Sequence, residues 1–179
     1  MKEDALWQKF ISGDKKALSY IFKMHYKELY NYGLKLSNDA DFTMDSMQDL
    51  FLKLWKNRAH LGNISEIKPY LFKALRNKIV DNFKVLPKYD PVNEDDVQEM
   101  NVEYSYEDLL ISKQLTKEKR EKLIKALNQL SPKQREAVYL RFFEELDFAT
   151  IAVIMKTNVQ SVRNTLHRAM TSLRNMYLT

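Results

Sequence analysis

The side chains best suited to contacting a polyanion lie near the C-terminus, on one face of a helix predicted to begin after Asn158. Apolar residues spaced three and four apart predict that the other face is buried: Val159, Val162, Leu166, Ala169 and Leu173. The outward face then carries Gln160, Asn164, His167, Arg168 and Thr171, flanked by Ser161 and Arg163. In the major groove Gln and Asn can pair with adenine, Arg with guanine, and Ser or Thr with a base or a phosphate. The pattern predicts a helix that reads duplex DNA.

The charge of this region favours the same interpretation. Residues 148–179 contain no Asp or Glu, whereas Lys156, Arg163, Arg168 and Arg174 carry positive charge. A surface without acids is suited to contacting phosphates. The alternative is an ordinary helical hairpin with a solvated polar face. That alternative is weaker, because a complete absence of acids is unusual in a chain whose overall charge is nearly balanced.

The elements that must position this face have clear local signals. Ser131-Pro132-Lys133-Gln134 predicts a capping box with proline at the first helical position, opening a helix that ends near Phe143. Asp147 is expected to cap a short second helix, Lys156-Thr157 to form a turn, and Asn158 to cap the third helix. The C-terminal part is therefore predicted to be a helix-turn-helix.

Composition bounds the class of protein. The chain has 179 residues, with 29 basic and 24 acidic side chains and a net charge of +5. It has no cysteine, which excludes disulfides and thiolate metal sites and fits a cytoplasmic location. The N-terminus lacks a signal-peptide pattern, and the longest apolar runs, of about five residues, are too short to cross a membrane. Helical spacing with few strand signals predicts an all-α fold.

The distribution of charge predicts two small helical domains, at 1–86 and 109–179, joined by an acidic flexible linker at 87–108. Between residues 88 and 108 eight acids stand against one base, a net charge of −7, so the rest of the chain carries +12. This stretch has little apolar content and no clear period. Helices in the N-terminal domain are expected near 5–12, from Asp14, at 42–58 and at 69–85.

The third predicted helix has two distinct faces. At 100° per residue, one side is apolar and forms part of the core: Met47, Leu50, Phe51 and Leu54. The opposite side carries Asp45, Gln48, Asp49, Leu52 and Lys56. An exposed leucine framed by carboxylates and an amide is typical of a protein-docking surface. An ordinary solvated face that includes one leucine explains the same residues equally well.

The fourth predicted helix and the loop before it combine basic, aromatic and amide side chains. On the helix these are Lys68, Tyr70, Lys73, Arg76, Asn77 and Lys84, and in the loop His60 and Asn63. Single-stranded DNA is bound by cations along its backbone and by stacking or polar contacts to its bases. A base removed from its stack must also be held by hydrogen bonds, which a polar loop can supply. The apolar residues of the helix, Phe72, Leu75, Ile79 and Phe83, are expected in the core.

Three segments in order resemble extracytoplasmic-function (ECF) sigma factors of the sigma-70 superfamily. DSMQDLFLKLW, at 45–55, resembles the family's region 2.2, and PYLFKALRNKIVDNF, at 69–83, resembles regions 2.3 and 2.4. The segment at 130–174, which begins LSPKQREAVYL, resembles region 4. The resemblance covers nearly everything except the acidic linker. It implies a region 2 helical bundle and a region 4 helix-turn-helix, without catalytic residues, metal, cofactor or small-molecule substrate.

The resemblance also implies partners and residue roles. Asp45, Gln48, Asp49, Leu52 and Lys56 would dock on the β′ clamp helices of core RNA polymerase, and region 4 would meet the β flap. His60, Asn63, Lys68, Tyr70, Lys73, Arg76, Asn77 and Lys84 would open and read the −10 promoter element. Lys156, Gln160, Ser161, Arg163, Asn164, His167 and Arg168 would bind the −35 element. An anti-sigma factor, which family behaviour favours as membrane-bound, would hold the chain inactive.

The chain departs from the family's pattern at the turn, and two other functions compete with the one that the resemblance implies. The family's turn usually has glycine where Lys156 stands, so either Lys156 is left-handed or the turn differs. A helix-turn-helix regulator acting without polymerase would leave the 45–55 face and the acidic linker unexplained. A small nuclease is disfavoured, because the three histidines and three glycines are scattered and the acids cluster in the linker.

Overall fold

The protein was analysed as a computed structural model that describes residues 3–64, 66–85, 102–105, 108 and 116–178, all without strands. Its helices are α1 (Glu3–Ile11), α2 (Lys15–Ser37), α3 (Ala40–Asn57), α4 (Ile67–Val85), α5 (Lys117–Asn128), α6 (Pro132–Val138), α7 (Phe148–Ile154) and α8 (Val159–Leu178). A 3-10 turn, Arg58–His60, follows α3, and a π-helical turn, Tyr139–Phe143, continues α6. The chain divides into two compact units, Met1–Val92 and Asn93–Thr179. The all-α prediction is confirmed for the described residues.

The N-terminal unit is built on α2, α3 and α4, which pack on one another, with α1 against α2. Aromatic pairs join the helices: Tyr32 of α2 stacks on Phe72 of α4, with ring centroids 4.9 Å apart. Gly33 lies where α2 approaches its neighbours most closely, because a Cβ there would meet Thr43 Cγ2 at 2.8 Å. Side-chain caps begin two of the helices, Asp14 for α2 and Asp39 for α3. The predicted helix bounds agree with these to within a few residues.

Side-chain caps also set the helix starts of the C-terminal unit, as the sequence predicts. The capping box at Ser131 is complete, because Gln134 N–H donates to the serine hydroxyl and the Gln134 side chain accepts from the Ser131 N–H. Asp147 Oδ1 accepts from Thr150 N–H at 2.7 Å. Lys156 adopts the left-handed conformation with φ 52°, so the turn keeps the glycine-type backbone geometry with a lysine in place. The helix-turn-helix prediction is confirmed.

The predicted linker boundary at 108 is wrong for the segment 102–105. Val102 and Tyr104 are buried in the C-terminal unit. The Asn128 side-chain amide bonds both backbone groups of Tyr104, and the Tyr104 hydroxyl donates to the Arg135 carbonyl at 2.9 Å. Burial raises the pKa of the Tyr104 phenol, so this hydroxyl stays protonated as a donor. The prediction rested on the average composition of the segment, which is acidic, and such an average does not detect two individual buried side chains. Apart from Asp108, the remainder of the predicted linker lies outside the described residues.

None of the helices in the described part of the chain is long and apolar enough to cross a membrane.

Candidate DNA-binding and docking surfaces

The α8 face has the arrangement that its periodicity predicts. Val162, Leu166 and Ala169 are buried, while Val159 and Leu173 are half-buried at the ends of the stripe. The opposite residues are exposed: Gln160, Arg163, Asn164, His167, Arg168 and Thr171. Ser161 is partly exposed, and its backbone N–H donates to Asn158 Oδ1 at 2.7 Å, which caps the helix. The helix therefore presents a continuous polar and basic surface to a partner.

Hydrogen bonding and ring contacts partly order this surface. Gln160 Nε2 donates to Asn164 Oδ1 at 3.0 Å, one helical turn apart, which leaves Gln160 Oε1 and Asn164 Nδ2 facing outward. The Arg163 guanidinium lies 5.7 Å from the ring centroid of Phe148, the first residue of α7. Exposed Lys156 stands at the turn immediately before α8. These contacts restrain Gln160, Arg163 and Asn164 on the exposed face.

A polar cleft of about 530 Å³ lies between the start of α6 and the start of α8. Its lining includes four residues expected to bind DNA, Gln160, Ser161, Asn164 and Arg168. It also includes Ser131, Lys133, Gln134 and Thr165, which the sequence did not mark as functional. The sequence indicates Ser131, Lys133 and Gln134 as helix-capping residues, although a lysine inside the motif is also a signal for a phosphate contact.

The α3 face is exposed as predicted, and one of its carboxylates is paired within the unit. Asp45, Gln48, Asp49, Leu52 and Lys56 are all exposed, Leu52 by 57%. Asp49 Oδ2 lies 2.8 Å from Lys78 Nζ of α4. The side chain of Asp49 remains more than half exposed, so it can still be reached by a partner. The face combines a protruding leucine with partly exposed charge.

The residues before and along α4 do not form a uniform basic surface. His60, Asn63 and Lys73 are exposed. Lys68 Nζ lies 3.2 Å from Glu28 Oε1 and 5.6 Å from the ring centroid of Phe72. Tyr70 packs edge-on against Trp7 at 5.3 Å, and burial raises the pKa of its phenol. Of the residues predicted here to bind DNA, the exposed ones are therefore His60, Asn63 and Lys73, and Tyr70 is partly exposed.

Arg76 differs most from its predicted position. Its side chain is only 3% exposed and is engaged within the protein, so as placed it presents no guanidinium to DNA. Helical spacing already indicates this position, because Arg76 lies four residues after Phe72 and three before Ile79, beside the apolar side of α4. Asn77 is half-buried, with Oδ1 buried and lacking a hydrogen-bond partner among the described residues. The side chain of Lys84 lies outside the described residues.

Comparison with known families assigns both units. The sigma-70 region 2 family model matches residues 21–85, and the sigma-70, region 4 model matches residues 120–173. Among similar proteins, the ECF RNA polymerase sigma factor SigM of Bacillus subtilis is 24% identical, covering 88% of this chain and 93% of its own. The ECF RNA polymerase sigma factor SigK of Mycobacterium ulcerans is 18% identical, covering 96% and 91%.

Two solved structures share the fold. CnrH, in complex with the cytosolic domain of CnrY, has a TM-score of 0.66 at 15% identity and covers 98% of this chain and 97% of its own. The sigma factor RpoE from Bartonella quintana, crystallised with the anti-sigma factor NepR, has a TM-score of 0.62 at 22% identity, covering 90% and 96%. A region 2 bundle followed by a region 4 helix-turn-helix defines a sigma factor. The chain belongs to the sigma-70 family as an ECF RNA polymerase sigma factor, a non-catalytic protein that directs transcription initiation.

Proposed function

We propose that this sigma factor binds core RNA polymerase through the exposed face of α3 and reads a two-part promoter. The observation that carries the proposal is the pairing of two separate surfaces on one chain. One surface is acidic with a protruding leucine, and the other is a helix face without a single acid. A DNA-binding regulator needs only the second surface, whereas an initiation factor needs both.

The docking surface is formed by Asp45, Gln48, Asp49, Leu52 and Lys56. Its proposed partner is the β′ clamp helices. Interface energy concentrates in a few central residues ringed by polar groups, and Leu52 has that position between Gln48 and Lys56 on α3. The C-terminal unit also exposes apolar side chains, Phe142, Val153 and Met170, which suit a contact with the β flap.

The proposed −10 surface comprises His60, Asn63, Lys68, Tyr70, Lys73, Asn77 and Lys84. Arg76 is omitted because it is buried. Exposed Lys73 suits a phosphate, and the edge of Tyr70 suits a base that has left its stack. Asn63 in the loop before α4 suits polar contact with such a base. Opening and reading of the −10 element would occur together on this surface.

The proposed −35 surface is the α8 face, with Gln160, Ser161, Asn164 and Arg168 reading bases. Lys156, Arg163 and His167 would lie nearer the phosphates. Lys133 extends this set, because it lines the same cleft as Asn164 and Arg168.

Regulation is proposed to occur at the docking surface. CnrH and RpoE were each solved with a second protein, for RpoE an anti-sigma factor. An anti-sigma factor of this chain, which family behaviour favours as membrane-bound, would silence it by covering the α3 face. The proposed location is the cytoplasm, where polymerase acts. The acidic stretch that follows residue 87 would pass along the positively charged channel of the polymerase toward its RNA exit.

Transcription in vitro with core polymerase on a pool of genomic fragments tests the proposal. Transcripts are expected only when the chain is present, from sites that share two sequence elements at constant spacing. Leu52→Ala should weaken core binding about fivefold or more, since truncating a central interface residue costs more than about 1 kcal/mol. Met24→Ala is the matched control, because Met24 is also exposed, by 43%, on α2 of the same unit. Equal binding by both variants would contradict the assignment of the docking surface.

A further inference from the structure

The short helix α1 contacts the loop before α4 and the start of that helix at four points. Trp7 Nε1 donates to the Gly62 carbonyl at 3.0 Å, and Gln8 Nε2 donates to Asn63 Oδ1 at 2.6 Å. Glu3 Oε2 accepts from Ile67 N–H at 3.1 Å, which supplies a side-chain acceptor for the first turn of α4. The Trp7 ring packs edge-on against Tyr70 at 5.3 Å. All four contacts join residues more than 50 positions apart in the chain.

Glu3, Trp7 and Gln8 make these contacts, while Leu6 and Phe10 anchor the helix in the core. Leu6, Trp7 and Phe10 are each no more than 2% exposed. Gln8, in contrast, is exposed, so its bond to Asn63 contributes little to burial. The region 2 family model begins at residue 21 and therefore does not include α1. The family match assigns no role to this helix. Its side chains nevertheless hydrogen-bond the loop backbone at Gly62 and the side chain of Asn63.

The bond between Gln8 and Asn63 has a chemical consequence. An asparagine amide offers a carbonyl acceptor at one end and an NH₂ donor at the other. When Asn63 Oδ1 accepts from Gln8, Nδ2 is the end left for a partner. A base presented to Asn63 is then read by a donor, so acceptor atoms on the base are preferred. With Gln8 Nε2 as the donor, as in this structure, the Nδ2 end of Asn63 is the one available to a base.

We infer that α1 is part of the promoter-reading apparatus and that Gln8 is a positioning residue that sets base preference by orienting the Asn63 amide. The inference rests on the proposed role of the loop in reading the −10 element. Trp7 supports the same function by holding the Gly62 carbonyl. A Cβ at Gly62 would meet no atom within 4 Å, so the hydrogen bond, rather than close packing at that residue, fixes the loop there.

The test uses variants that change which hydrogen-bonding group faces Asn63. Gln8→Lys places a hydrogen-bond donor opposite Asn63 and should keep the orientation of the Asn63 amide. Gln8→Glu places an acceptor there and should turn the Asn63 amide, so that Asn63 Oδ1 is presented to the base. Asp4→Ala is the control, because Asp4 is an exposed residue of the same helix. Each full-length variant is bound to core polymerase and transcribes a promoter library with a fixed −35 element and a randomised −10 element.

Sequenced transcripts give, for each variant, the ratio of transcript abundance between bases at each −10 position. An overall change in affinity caused by charge affects all bases alike and cancels from this ratio. Gln8→Glu should shift the preference at one −10 position by roughly 2- to 10-fold toward a base with a donor, the range expected for one hydrogen bond. Gln8→Lys and Asp4→Ala should leave the preference as in the wild type. A purely structural role for Gln8 would change total activity or thermal midpoint without reversing a preference.

The arm with Asn63→Ala separates this inference from the proposed function. If Asn63→Ala leaves all −10 preferences unchanged, the proposed reading role of the loop fails. If Asn63→Ala relaxes a preference but Gln8→Glu and Gln8→Lys behave alike, the loop reads DNA without direction from α1, and the inference is overturned. Trp7→Phe keeps the ring but removes the donor to Gly62, and it should weaken the same preference without altering −35 selectivity.

Discussion

The two helices predicted to bind DNA, α4 and α8, both carry several basic and polar residues but expose them differently. On α8 the cations Arg163 and Arg168 are exposed, and residues 148–179 contain no acid that could pair with them locally. On α4, Lys68 lies beside Glu28, Lys78 beside Asp49, and Arg76 is buried. A count of positive charges therefore overestimates the DNA surface of α4. We expect a helix face without acids to be the better predictor of a DNA-binding surface, because a carboxylate close in space pairs with a cation within the protein.

The difference also indicates how each unit can act. Most of the proposed α8 surface lies on a single helix, which an Asn158 cap and core packing hold in place. The N-terminal surface instead depends on a loop that α1 fixes through Trp7 and Gln8. A helix face suits the regular geometry of duplex DNA, whereas a loop with exposed amide and imidazole groups suits a base outside its stack. On the proposed assignment, the chain would read duplex and opened DNA with different kinds of structure.

Replacing Arg76 by alanine should have the largest effect and separates the two helices most sharply. Because Arg76 is buried and engaged within the protein, its truncation removes a large packed side chain and its interactions from the N-terminal unit. Breaking a buried charged interaction costs on the order of 3 kcal/mol. Both tryptophans, Trp7 and Trp55, belong to this unit, so urea unfolding followed by tryptophan fluorescence reports its stability.

Arg168→Ala is the counterpart on α8. It should leave the tryptophan-detected transition unchanged and weaken binding of the holoenzyme to promoters with an intact −35 element. Removing one good base contact costs about 1–3 kcal/mol of discrimination. If Arg76→Ala leaves stability as it is and weakens promoter binding instead, the contrast between the two helices is wrong.

Gly33→Ala tests how tightly α2, α3 and α4 meet behind the α4 surface. The added methyl would lie 2.8 Å from Thr43 Cγ2, in a buried and β-branched side chain with little room to move. Overpacking costs roughly 1–3 kcal/mol, against a helix-propensity gain of about 1 kcal/mol. A net loss of about 1 kcal/mol is expected in the same fluorescence experiment. Gly62→Ala is the control, since its Cβ would face open space.

The Asp147 cap makes the stability of the helix-turn-helix depend on pH. Its hydrogen bond from the Thr150 backbone lowers the pKa of the carboxyl below its ordinary value of 3.8. Because the folded pKa is the lower one, the stabilisation is fully present above 3.8 and is lost as pH falls through the folded pKa. Asp147→Ala should cost about 1 kcal/mol at neutral pH. Circular dichroism, which also detects the unit without tryptophan, measures the loss.

Asp147→Asn provides the matched comparison for that cap. It keeps the side-chain acceptor without a titrating group, so most of the stability should remain at neutral pH. The gap between the wild type and Asp147→Asn should narrow as the solution is acidified below about pH 4. A gap that is independent of pH would show that the carboxylate charge contributes nothing to the cap.

Local signals predicted much of this molecule because their causes are local. A cap at Ser131, Asp147 or Asn158 concerns backbone groups two or three residues away, so the sequence contains the whole interaction. The faces of α3 and α8 follow from helical periodicity alone. A left-handed Lys156 is one of two alternatives that the sequence leaves open, and the structure selects it because the turn needs that backbone whichever residue is present.

The failures concern contacts between residues distant in sequence. Nothing near Gln8 in the chain indicates that it bonds Asn63, and nothing near Lys78 indicates Asp49. Tyr104 lies in a segment that composition assigned to the linker, but Asn128 of α5 bonds its backbone. In each case the tertiary contact, rather than the local pattern, determines the position.

The smallest expected effect distinguishes two lysines of α4, Lys73 and Lys78. Lys73 is exposed, whereas Lys78 Nζ lies 2.8 Å from Asp49 Oδ2. Removing a single cation that binds a phosphate should reduce the slope of log binding constant against log salt by about 0.7–0.9. Lys73→Ala is expected to show such a change when the holoenzyme binds promoters with an intact −10 element, and Lys78→Ala a smaller one. Equal changes would mean that the pair with Asp49 opens when DNA binds, and that α4 presents more positive charge to DNA than its folded contacts suggest.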